Sequence, residues 1–165
     1  MFSLSNNIIK NIFLYTIIAC AIIILQAYMP KILFFQNLYI SVDFFLVFLT
    51  FLVLKNQIYQ IIILAFFVGL FQDLVIQVQM IGSFALIKSI SVYFIGMSKN
   101  FNHLWSKYLK IFYLFIIYMI HFIIYFYIVV NNDISIIFIL SVIQSIISII
   151  LFSILERLFF NSSIL

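Results

Sequence analysis

Two carboxylates and one amine interrupt a strongly apolar background: Asp43 in "SVDFFLVF", Asp73 in "AFFVGLFQDL" and Lys88 in "FALIKSIS". Two acids sharing one site can divide acid and base roles between them. An ammonium beside a carboxylate favours the charged form of both. A lone charge in mid-membrane costs about 2.5–3.5 kcal/mol on insertion scales, so pairing Lys88 with Asp73 or Asp43 offsets much of that cost, as protonation of one carboxyl would. Three readings of the cluster stand side by side. It is a polar lock fixing a bundle, a binding site for a partner helix or a small ligand, or a catalytic dyad.

The third reading finds no companion residues. "GLFQD" lacks the G-x-G-D pattern of intramembrane aspartyl proteases, and the asparagine and arginine neighbours of lipoprotein signal peptidase aspartates are missing. No glycine loop cradles a phosphate and no nucleophile elbow occurs. His121 lies in the middle of an apolar run and His103 eighteen residues before it, with no His/Cys/Asp set at ligand spacing. His121 therefore reads as an interhelix hydrogen-bond contact and Cys20 as a small packing residue. No catalytic residue, cofactor or metal is expected.

The elements that hold these residues follow from composition. The 165 residues are 68% hydrophobic and 7% charged, where a soluble domain carries about a quarter charged residues. Six apolar blocks of membrane-spanning length are separated by short polar breaks, at about 11–29, 38–54, 58–78, 80–98, 108–130 and 134–155. In lipid each must satisfy its own backbone hydrogen bonds, so each is expected to be a helix despite the many isoleucines and aromatics. The fold class expected is an all-α integral membrane protein, a compact bundle of six transmembrane helices. Residues 1–165 form one polytopic domain, because the connections leave no room for an independently stable extramembrane fold. The first block exceeds a signal-peptide core and lacks a cleavage site after it. With both termini cytoplasmic, Lys10, Lys55, Lys99, Lys107, Lys110 and Arg157 fall inside, Lys31 outside and Lys88 within a span. That is a positive-inside pattern. The net charge of +4 is scattered singly; it orients the chain and meets anionic lipid, and it does not point to nucleic acid.

Spacing within the blocks picks out faces. Ala65, Gly69, Asp73 and Gln77 recur every fourth residue, so they share one helix face, small at one end and polar at the other. Gly82, Ala85, Ser89, Tyr93 and Gly96 make a second small and polar stripe. Small residues let neighbouring helices approach closely, and all three glycines of the chain lie in these two segments. Asp73 is expected about five residues, roughly 8 Å, inside the outer end of its helix, with Asp43 at similar depth and Lys88 deeper. Ser141, Gln144, Ser145 and Ser148 form a further packing face, and Glu156–Arg157 an end anchor.

Residues 41–96 resemble the core of the bacterial rod shape-determining protein MreD family. Asp43 matches the acidic residue opening a hydrophobic helix. Phe67, Gly69, Asp73 and Leu74 fit a "GF..G...DL" helix, and Ile81, Gly82, Ala85, Leu86 and Tyr93 fit the "LG..AL" and tyrosine that follow. The sequence departs from the pattern at Val42, where proline is usual, at the missing glycine after Asp73–Leu74, and at Lys88. The resemblance implies a non-enzymatic scaffold of the cell-elongation machinery in the bacterial inner membrane, binding MreC and working with RodA, a penicillin-binding transpeptidase and MreB to keep rod shape. It also implies an architecture similar to the substrate-binding subunits of energy-coupling-factor vitamin transporters, and such a subunit is the alternative function. On the scaffold reading Asp43, Ala65, Gly69, Asp73, Gln77, Gly82, Ala85 and Lys88 serve helix packing or partner binding.

Overall fold

The computed structural model describes residues 2–29, 32–35, 38–40, 42–76, 81–101, 105–130 and 134–159. Six α-helices account for most of them: α1 Phe2–Tyr28, α2 Phe44–Lys55, α3 Ile58–Ile76, α4 Ser83–Met97, α5 Lys107–Val130 and α6 Ile134–Phe159. Two short strands, β1 Ile32–Phe35 and β2 Leu38–Ile40, pair antiparallel between α1 and α2 with Ile32 opposite Ile40. A 3-10 turn, Ser98–Phe101, follows α4 directly.

Four helices, α1, α3, α5 and α6, contain stretches long and apolar enough to cross a membrane. The other two are shorter than the expected spans. The expected helix at 38–54 begins only at Phe44, because its first residues join the hairpin and Asp43 caps the helix at its start. At 1.5 Å per residue its 12 residues reach about 18 Å, less than a bilayer core of roughly 30 Å. The fourth helix starts at Ser83 rather than 80, after Gly82 in the left-handed conformation (φ 98°), where a side chain would be strained.

The short α2 lies at the centre of the bundle. Phe45, Leu46, Val47, Leu49, Thr50, Leu52 and Val53 are all buried, which covers more than half of the circumference of the helix, while Phe44, Phe48 and Phe51 on the remaining side are half-buried. A helix apolar on every side is a core element as readily as a membrane span, and here α1, α3, α4 and α6 surround it. The outer helices instead keep apolar ridges exposed, such as Phe112, Ile116, Ile120 and Ile124 on α5 and Phe138, Ile139, Ile146, Ile150 and Ile154 on α6. In water so wide an apolar exterior would aggregate; in lipid it is solvated.

The tightest packing joins α3 to α4. A Cβ built on Gly69 would lie 2.6 Å from the Ala85 Cα, so the two backbones meet there and only glycine fits. Phe84 stacks on Tyr125 at 5.0 Å and Tyr113 donates to the Phe94 carbonyl at 3.0 Å, which ties both ends of α4 to α5. Phe51 on α2 stacks on Phe152 of α6 at 4.6 Å.

Candidate functional site

Asp43 stands immediately before the first residue of α2. An aspartate just ahead of an apolar run is a helix-start signal, and its Oδ1 accepts the Leu46 amide at 3.0 Å as an N-cap. Its Oδ2 is paired with the Lys88 ammonium. Lys88 is 1% exposed and also lies 5.0 Å from the centre of the Phe45 ring. Of the two expected acid partners, Asp43 is thus the one that Lys88 contacts, and the pair ties α2 to α4.

Asp73 has a different task. Its carboxylate accepts the amides of Gly82 at 2.6 Å and Phe84 at 3.2 Å, with Ala85 at 3.5 Å. It is fully buried. These are first-turn donors of α4, which have no acceptor within their own helix. The residue at the end of α3 therefore caps the start of the next helix across the intervening turn, and the helix dipole favours its negative charge. The expected depth of Asp73, counted from a helix end at residue 78, falls on residues outside the described ones.

The remaining residues expected at the site divide cleanly. Ala65, Gly69 and Asp73 are buried on one face of α3 against α4, and Gln77 lies outside the described residues. On α4 the stripe splits, with Ala85 and Gly96 buried, Ser89 half-buried and Tyr93 about half exposed. Gly82 precedes the helix rather than belonging to it. The reason is angular: at 3.6 residues per turn the five positions keep to one sector of about 80°, and Tyr93 lies at its edge, next to the exposed Leu86 and Ile90.

Around the ion pair lies a polar shell that sequence reading found only in part. His121 on α5 is buried and its Nδ1 shares a hydrogen bond of 2.8 Å with the Ser91 hydroxyl of α4, the interhelix contact expected of it. Its Nε2 stands 4.0 Å from Asp43 Oδ2, beyond hydrogen-bond reach. Thr50 on α2 and Tyr118 on α5 join at 2.7 Å between their hydroxyls. Nothing local in the sequence marks Ser91, Thr50 or Tyr118, because each partner is 30 or 68 positions away. On α6, Ser141, Ser145 and Ser148 are buried as a packing face and return their hydroxyls to carbonyls of their own helix.

Chemically, both carboxylates are occupied by donors of the fold, each with both oxygens engaged. They start two helices and cross-link α2, α3 and α4. Among the described residues no three His, Cys, Asp or Glu side chains converge as a metal site would require. Beside this locked interior runs an open groove of about 380 Å³ between α4 and α5. Leu86, Ile90 and Phe94 form one wall and Ile116, Ile120 and Ile124 the other, with Ser91 and His121 on its floor. No family model, curated protein or solved structure matches this chain.

Proposed function

We propose that the chain is a non-enzymatic membrane scaffold that binds other transmembrane helices, in the manner of MreD proteins. In this reading it is a multi-pass protein of the bacterial inner membrane with both termini in the cytoplasm. Its partners are MreC and, with it, RodA, a penicillin-binding transpeptidase and the MreB assembly, and its task is rod shape. Besides the resemblance of residues 41–96, the division of labour between interior and exterior supports this. The charged residues are spent on fixing α2, α3 and α4, while the groove between α4 and α5 is left open. Its walls repeat every fourth residue, the spacing of ridges that receive a helix.

The observation that carries the reading is this groove over a locked polar floor. Its test is mild-detergent affinity purification of the tagged chain from its own cells, with mass spectrometry of the proteins that come with it. MreC or RodA is expected. The Ile90→Trp variant, which fills the groove, should accumulate normally and lose them. Recovery instead of a coupling membrane subunit with paired ATPases would reject the scaffold and place the chain among transporter substrate-binding subunits.

A further inference from the structure

At one end the groove between α4 and α5 is lined by Phe94 and Tyr113, and the bond between these two residues sits on a change of helix type. The Ser98 amide turns to the Ile95 carbonyl, three residues back, as the chain tightens from α4 into the 3-10 turn Ser98–Phe101. The Phe94 carbonyl, four residues back, thereby loses the donor that a continued α-helix would give it. The Tyr113 hydroxyl supplies the replacement at 3.0 Å. A backbone carbonyl inside lipid must find its donor within the protein. The 3-10 form of the turn therefore depends on a side chain that also lines the groove.

The turn carries an aromatic ladder that leads back to Tyr113. Phe101 stacks on Trp105 at 4.9 Å, and the Trp105 amide donates to the Phe101 carbonyl at 3.0 Å. Trp105 in turn meets the Tyr113 ring edge to face at 5.0 Å. Lys99, within the same turn, donates to the Asn56 carbonyl between α2 and α3. Without the Tyr113 donor, the Ser98 amide can satisfy Phe94 by returning to the α-helical pattern. Each residue of the turn then goes from about 120° and 2.0 Å to about 100° and 1.5 Å. Over the four residues of the turn, Phe101 swings by about 80° and draws in by about 2 Å. Aromatic pairing needs centroids within a few ångströms, so the stack on Trp105 breaks.

We infer that Tyr113 couples the groove to the connection after α4: an occupant that pushes Tyr113 off Phe94 converts the Ser98–Phe101 turn from 3-10 to α and releases Trp105. The inference rests on the reading of the groove as the seat of a partner helix. On the positive-inside orientation the connection faces the cytoplasm, so a helix bound within the membrane is signalled at the inner face.

Trp105 is the chain's single tryptophan, so its fluorescence in the full chain in mild detergent reads the state of the turn. Tyr113→Phe keeps the ring and removes only the donor; its Trp105 emission should shift to the red and be quenched more steeply by acrylamide. To fill the groove without a partner, Ile116→Cys in a Cys20→Ser background is alkylated with N-benzylmaleimide, and it should give the same shift. The same label on Ile154→Cys, at a position exposed on α6 outside the groove, should give none. In Tyr113→Phe the label at position 116 should add nothing further. Parent-like emission in Tyr113→Phe, an equal shift from the label at position 154, or an additive shift in the combined variant would overturn the coupling. These readings do not depend on which proteins copurify with the chain, so the coupling and the scaffold reading fail separately.

Discussion

Replacing Asp73 by leucine isolates the cap that one helix supplies to the next. Two of the three contacts are within ordinary hydrogen-bond distance, from Gly82 at 2.6 Å and Phe84 at 3.2 Å; Ala85 at 3.5 Å is weak. Phe84 is buried, so orphaning its amide costs about 1–3 kcal/mol. Gly82 is half-buried and its amide can turn to water, which leaves the ordinary loss of an N-cap, about 1 kcal/mol. Together these give about 3 kcal/mol for Asp73→Leu. An opposing effect is relief from burying a carboxylate in an apolar surround. It makes this figure an upper one. For a chain of this size about 3 kcal/mol corresponds to a fall in melting temperature of roughly 6–12 °C. Trp105, the chain's single tryptophan, stacks on Phe101 at 4.9 Å and reports unfolding by its fluorescence far from the substitution. Asp73→Asn keeps one acceptor oxygen and should fall about midway. A leucine variant melting within about 1 °C of the parent, or above it, would refute the cap. Equal losses in the two variants would show that charge, not hydrogen bonding, governs the site.

Three further outcomes follow from the same geometry. Lys88→Met should lower stability by about 3–5 kcal/mol, since it leaves Asp43 charged and buried, whereas adding Asp43→Asn should recover most of it; a double variant as unstable as the single would show that the ion pair is not the coupling, read by detergent melting of all three. Gly69→Ala should prevent the close approach of α3 and α4, because its Cβ meets Ala85 backbone, and the variant should fail to give a monodisperse peak in size-exclusion chromatography. Gly82→Ala meets no atom within 4 Å and pays only for its left-handed backbone, so it should cost about 1–2 kcal/mol and remain monodisperse; equal behaviour of the two glycine variants would sink the distinction.

Much of this arrangement was legible in the residues. Hydropathy located six helices, because in lipid an apolar run of sufficient length has few alternatives to helix. The spacing of Ala65, Gly69 and Asp73 identified the face that α3 turns to α4, since period four on a helix is a spatial statement. What hydropathy misread was depth. An apolar run looks the same whether lipid or protein surrounds it, so hydropathy joins residues 38–40 to α2 although they pair as a strand, and it does not tell a 12-residue helix from a span. Asp43 carried the correcting signal, because an acid before "FFLVF" is a helix start as well as a buried charge.

The partner of Asp73 was hidden for a different reason. Capping is ordinarily read within three residues of one helix, and here the acceptor sits nine positions before the nearest amide it serves, in the preceding helix. Such a cap exists only once α3 and α4 have packed, and they pack because Gly69 admits Ala85. The small residue and the acid on one face of α3 thus act in sequence: the glycine brings the helix starts within reach, and the aspartate then satisfies the amides that burial would otherwise strand. Lys88 closes the same unit from the other side by holding α4 to the cap of α2. Asp43, Asp73 and Lys88, which the sequence leaves open as a polar lock, a binding site or a catalytic dyad, are in the fold two helix starts and the tie between them.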